Sequence, residues 1–273
     1  MSVSTENIFR RKIYQDLEEW KKNDSGRYAL MIEGVRRVGK SKIVKEFGTR
    51  EYRSCLMVDF LTASDAVKNM FNRYSDDPDR LFRLLSGYYG VRLFEYESLV
   101  VFDEVQEFPR AHQLVKYLVA YGKYPIIETG SLITLRMKTR ITFPSEVRTI
   151  PMNPMDFEEY MWAVGKEQQL EMVRESFESG VPMDEDMHRN LMDTYTTYMI
   201  TGGMPQAVSA LIETNSFVEV EKSKKMIVDL YREDVWREDD GILAELFSGI
   251  PSMLNRTNKV FSPGAIKKSL SEF

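Results

Sequence analysis

The chain has 273 residues, 43% hydrophobic and 29% charged, the make-up of a globular protein long enough for one large domain or two smaller ones. A net charge of −5 argues against broad, non-specific nucleic-acid binding. The single cysteine excludes an internal disulfide framework, no apolar run approaches the roughly 20 residues of a membrane span, and the N-terminus lacks the apolar core of a signal peptide, so a cytoplasmic protein is expected.

In chain order, "IFRRKIYQDLEEWKK" (residues 8–22) predicts an amphipathic helix with Ile8, Ile13, Leu17 and Trp20 along one side. "YALMIE" follows as a short apolar run bounded by turn residues, the pattern of a buried parallel strand. Next comes "GVRRVGKS", which fits G-x-x-x-x-G-K-[ST] at Gly34, Gly39, Lys40 and Ser41. "KSKIVKEF" then places Ile43, Val44 and Phe47 on one helical face. Strand, glycine loop and helix are the context in which this motif binds phosphate. The glycines let the backbone approach phosphate oxygens, and the N–H groups at the helix start point at them, helped by the helix dipole. Lys40 reaches the β- and γ-phosphates and Ser41 offers its hydroxyl to Mg²⁺. The expected nucleotide-binding set is Gly34, Arg36, Arg37, Val38, Gly39, Lys40, Ser41 and Lys42, with phosphate contact and a solvated position both open for Arg36 and Arg37.

"CLMVDF" reads as the second strand, with Cys55 a buried core thiol, and "DPDRLFRLLSGYYG" as a helix with Asp79 near its start and Gly87 near its end. "SLVVFDEVQEF" supplies the acidic partner that a phosphate-binding loop needs. Its apolar run is typical of a central strand, and Asp103 and Glu104 follow at the carboxyl end, where ligands bind in open α/β sheets. Asp103 would hold the metal and Glu104 would polarise the attacking water. "FPRAHQLVKYLVAYG" predicts a helix ending at Gly122. "YPIIETGS" predicts a strand beside that of Asp103, with Thr129 and Ser131 at its end; spacing alone leaves γ-phosphate contact and simple capping equally open. "VRTIPM" is the last strand, closed by Pro151. The order βαβαβαβ implies a mostly parallel sheet with helices on both faces.

The character changes near residue 151, where methionine-rich helical patterns take over. Two parts are therefore expected: an α/β core over residues 1–150 and a helical lid over 151–273 with a winged-helix-like end. Gly202 and Gly203 stop one lid helix, and Pro205 sits in the first turn of the next. His112 and His188 have no partner at metal-ligand spacing and read as structural. Asn258-Lys259 lacks the aspartate that guanine-specific proteins place two residues later, which favours ATP over GTP.

Together, "EGVRRVGKS", "LVVFDEVQ", "IIETGS", "TIPMNPMDFEEYM" and "YMITGGMPQAV" resemble the AAA-type ATPases of archaea and bacteria, over roughly residues 8 to 270. The resemblance implies an AAA-like, additional-strand P-loop fold with ATP binding and hydrolysis. It makes Gln106 a typical follower of the acidic pair and favours Ser131 over Thr129 as the sensor. Val147-Arg148 stands where the family commonly has Gly-Arg. Members usually continue into a nuclease-like domain; this sequence stops at Phe273, before most of it, so either a fragment or a short member is expected. Arg148 and Arg140, which follow the sensor strand, are the candidates for a cationic contact to the γ-phosphate, within the chain or across a homo-oligomer. The expected activity is Mg²⁺-dependent ATP hydrolysis. The rival reading is a nucleotide-gated switch that hydrolyses slowly and acts on DNA or protein. A small-molecule kinase is weaker, because nothing resembles an acceptor pocket.

Overall fold

The computed structural model describes residues 8–130, 145–239 and 242–255. Five short strands form its sheet: β1 (Ala29–Glu33), β2 (Ser54–Asp59), β3 (Ser98–Asp103), β4 (Ile126–Gly130) and β5 (Val147–Pro151). All pairings are parallel, in the order β2-β3-β4-β1-β5. The strand of the glycine loop, β1, and the strand of the acidic pair, β3, are therefore not neighbours; β4 stands between them. This is the α/β, additional-strand arrangement expected from the sequence.

The three central strands, β3, β4 and β1, are buried almost throughout because both faces of the sheet are covered there, whereas β5 at the edge is largely exposed. On one face Leu30, Ile32, Leu99, Val101 and Ile127 pack against α1 (Ile13–Asn23) and α2 (Lys40–Glu51). On the other, Met31, Val100, Phe102 and Ile126 pack against α3 (Asp65–Arg73), α4 (Pro78–Tyr89) and α5 (Pro109–Tyr121). Fully buried residues such as Phe47 and Leu17 each contribute about 1.5–3 kcal/mol of transfer free energy. Cys55 packs half-buried at Gly48 of α2, and burial pushes its thiol up to about 11.

Local signals explain most boundaries. The first helix starts only at Ile13, so Ile8, expected on its apolar stripe, is 47% exposed. In α4, Asp79 and Gly87 lie in the first and last turns, but the caps are Asp77, which accepts from the Arg80 N–H, and Gly90 with φ 65°. Helix α5 opens on Pro109 and closes at Gly122 with φ 73°. The nine residues of α3 were not legible in the sequence: Val67, Met70 and Phe71 are too few to establish a helical period.

Beyond β5 come α6 (Phe157–Ala163), α7 (Glu167–Ser179), α8 (Glu185–Thr201) and α9 (Pro205–Thr214). Asp156 and Glu159 form a capping box at the start of α6. The chain divides into two compact units, Met1–Val208 and Ser209–Phe273, so the helical segment that follows the sheet is split, and only its part up to Val208 shares a unit with the sheet. In the second unit, α10 (Phe217–Asp239) and α11 (Ile242–Leu254) pack together. The expected winged-helix-like end falls largely on residues 256–273, outside the described residues. Among those described, no helix is long and apolar enough to cross a membrane.

Candidate functional site

The glycine loop joins β1 to α2 at the carboxyl edge of the sheet. A Cβ on Gly34 would lie 2.3 Å from the carbonyl oxygen of Met152, and Gly39 holds φ 106°, so both positions of the motif require glycine. Val38 is fully buried on the α1/α2 side of the sheet, so only its backbone faces the loop. Arg37 (φ 70°) and Lys42 are exposed, and Arg36 is half-buried. Lys40 is only 4% exposed; its Nζ donates to the carbonyls of Gly34 at 2.8 Å and Val35 at 3.1 Å. Burial lowers the pKa of this ammonium and Arg36 adds to the effect, while Glu104 and Asp103 pull it back up.

Asp103 ends β3 on the face that packs against α2, because it lies in phase with Leu99 and Val101. Ser41 Oγ donates to Asp103 Oδ1 at 3.0 Å, and the hydroxyl of Thr129, on the adjoining β4, donates to the same oxygen. Burial lifts the Asp103 carboxyl above its ordinary range, helped by Glu104 and Asp59 and opposed by the two hydroxyls. Glu104 is the next residue, and in a continuing strand its side chain would point away from that of Asp103. It has in fact left the strand: its backbone is left-handed, φ 53° and ψ 50°, and its N–H donates to Thr129 Oγ1 at 3.2 Å. Its carboxylate accepts from the amide of Gln106.

The structure thus brings together Gly34, Gly39, Lys40, Ser41, Asp103 and Glu104. Ser131 and Arg140 lie outside the described residues. Thr129, which the resemblance ranked second, touches both members of the acidic pair. Arg148 is not brought to the cleft. It pairs with Leu30 near the amino-terminal end of β5, forms an ion pair with Asp24, and lays its guanidinium 4.6 Å from the Tyr28 ring. The strand run ends at Pro151, so the cleft lies at its other end.

Sequence reasoning missed Arg11. It is 6% exposed, donates to the carbonyls of Val38 at 3.0 Å and Asn153 at 2.6 Å, and meets Glu159 at 3.2 Å. It therefore ties the glycine loop to the start of α6. Within "FRRKIYQ" it looks like one of three solvated cations, and nothing local marks it for burial. Around Gly39, Met152 Cε and Pro205 Cγ stand 3.5 and 4.0 Å from where a Cβ would sit, so the Gly-Gly-Met-Pro segment lies against the loop. His112 is structural as read: it is fully buried, with Nδ1 2.9 Å from the equally buried Glu128. Among the described residues, no group of three His, Cys, Asp or Glu could hold a metal.

A search of curated proteins found no match. Among solved structures, the chain is similar to the crystal structure of a Signal Transduction ATPase with Numerous Domains (STAND) protein with a tetratricopeptide repeat sensor from Pyrococcus horikoshii, at 14% identity and a TM-score of 0.45. That likeness covers 97% of this chain but only 39% of the other. Residues 26–161 match the family model of an AAA domain. This stretch carries all five strands, the glycine loop, Asp103, Glu104 and Thr129, so the part of the chain that builds the cleft is the part that is similar to an AAA domain.

Proposed function

We propose that the chain binds ATP with Mg²⁺ and hydrolyses it to ADP and phosphate. The observation that carries this reading is the convergence of Ser41 and Thr129 on one oxygen of Asp103, at the sheet edge that also holds Lys40 and Glu104. One carboxylate and one hydroxyl are a fitting hard-oxygen set for Mg²⁺, which takes few protein ligands and completes its shell with water and phosphate oxygens. When bound, the ion would neutralise charge on the β- and γ-phosphates.

The chain's own residues do the rest. The N–H groups from Gly39 onward cradle the phosphates at the start of α2. Lys40 exchanges its loop carbonyls for phosphate oxygens. Glu104 accepts a proton from water as the new oxygen–phosphorus bond forms and the β–γ bridge bond breaks, releasing ADP. The helical segment contributes to the loop's shape through Met152, Arg11–Glu159 and Pro205, which supports its reading as part of the nucleotide site. Action on a DNA or protein partner belongs to the rival reading, a slow nucleotide-gated switch, and self-association and a cytoplasmic setting are proposed alongside.

Glu104→Gln keeps the size and removes the basic oxygen. Turnover is expected to fall by roughly 10²–10⁴-fold, with Mg²⁺-dependent ATP binding by calorimetry retained. Parental turnover would exclude Glu104 as the base and leave the slow switch as the better reading.

A further inference from the structure

Glu104 and Lys40 carry opposite charges in one cleft, and the carboxylate acts on the ammonium. A direct pair between them would disable both, taking the ammonium from the phosphates and the carboxylate from water. Yet Lys40 makes no ion pair within 4 Å among the described residues; its ammonium is turned onto Gly34 and Val35. The carboxylate is held as well. Val105–Glu107 forms a single tight turn directly after Glu104, with Val105 fully buried as its anchor. Gln106, only 9% exposed, folds back two residues and donates its Nε2–H to Glu104 Oε2.

Two further features hold this amide in place. Its Oε1 lies 2.7 Å from where a Cβ on Gly130 would stand, so the glycine that ends β4 leaves the room it occupies. The Glu104 backbone sits in a left-handed conformation that a non-glycine residue keeps only when its surroundings impose it. Thr129 holds the N–H of that residue and Gln106 holds its carboxylate.

We propose that Gln106 is a positioning residue for hydrolysis: its amide keeps the Glu104 carboxylate off Lys40 and leaves the second oxygen, Oε1, to take the proton of the attacking water. This rests on the reading of Glu104 as the base. It assigns to the residue after Val105 a task separate from metal binding, nucleotide binding and proton transfer.

The test compares Glu104→Gln, Gln106→Leu, Gln106→Glu and the Glu104→Gln/Gln106→Leu pair in the full chain, by steady-state ATP turnover with Mg²⁺. Gln106→Leu keeps the approximate shape and removes the donor. Gln106→Glu keeps the polarity and sets a like charge beside Glu104. Both are expected to lower kcat about tenfold or more, the effect of losing a hydrogen bond to a charged group, with KM within about twofold. Because Gln106 acts through Glu104, the double variant should be no slower than Glu104→Gln alone. Slow Glu104→Gln beside parental kcat in both Gln106 variants overturns the positioning role and leaves the base intact. So do a raised KM at unchanged kcat, a double variant slowed by the full Gln106→Leu factor, or a Gln106→Leu protein faster than the parent. Parental turnover in Glu104→Gln overturns the base reading, and this proposal with it.

Discussion

Glu128 and Thr129 are neighbours on β4, both with no exposed surface, and they face opposite sides of the sheet. Glu128 turns toward α5 and meets His112 in the apolar layer. Thr129 turns toward α2 and meets Asp103 beside the glycine loop. On the first side a carboxylate and an imidazole of opposite charge meet directly. On the second, two carboxylates and an ammonium share a small space without pairing; the lysine is held by backbone carbonyls and the acids by hydroxyls and an amide. Buried charge that is matched inside the protein supports structure, whereas buried charge held by neutral dipoles is left available for a ligand.

The largest effect should come from breaking the matched side. Removing one partner of a buried pair strands the other and typically costs about 3–5 kcal/mol, so Glu128→Ala should unfold at much lower denaturant than the parent. Burial by itself would lower the pKa of His112, but the hydrogen bond and charge of Glu128 outweigh it and raise the imidazole above its ordinary 6.5. Its stabilising contribution is therefore complete below pH 6.5 and fades as the pH rises through the raised value. Glu128→Gln should flatten that limb of a Tm-against-pH curve. An unchanged limb would show that the pair does not set it.

Next in size is the open side. Lys40→Ala removes a charge-assisted phosphate contact worth roughly 1.5–3 kcal/mol, which calorimetry with Mg²⁺ and ATP should read as a loss of about ten- to a hundredfold or more in affinity. Unchanged affinity would sink the assignment of the loop. Fold stability should move less than in Glu128→Ala, since Lys40 bonds backbone carbonyls and is in direct contact with neither carboxylate.

The smallest effect has the opposite sign. Asp103 is raised by burial, so its ionised form opposes folding as the pH climbs above the unfolded value. Asp103→Asn keeps an oxygen for Ser41 and Thr129 and drops the charge. Thermal melts without nucleotide at pH 7 should show a slightly higher Tm, while the gain in Tm on adding Mg²⁺ and ATP should shrink. A lower Tm without ligand would mean that the two hydroxyls outweigh burial at this carboxylate.

Much of the domain was legible because its signals are local. A phosphate-binding turn needs glycine where the backbone is crowded or left-handed, and a central strand needs an unbroken apolar run, so Gly34, Gly39, Lys40, Ser41, Asp103 and Glu104 stand out in one dimension. Pro109, Gly122 and Pro205 mark helix ends for equally local reasons. Helix α3 was missed because nine residues hold too few apolar positions, and the Glu104 turn because no local pattern announces a left-handed glutamate.

The amino-acid sequence by itself determined the phosphate loop, the acidic strand end, the parallel α/β class and the helical character of the segment after residue 150, all of which follow from short-range sterics and periodicity. Only the tertiary structure decided that Thr129 reaches Asp103, that Arg11 is buried between the glycine loop and Glu159, that Arg148 belongs to Asp24 at the far end of β5, and that Glu128 takes His112 as its partner. These are choices among chemically similar residues. They depend on which face of the sheet a side chain meets and what is packed there, and burial, by making an unmatched charge costly, selects one partner among the many that residue type alone would allow.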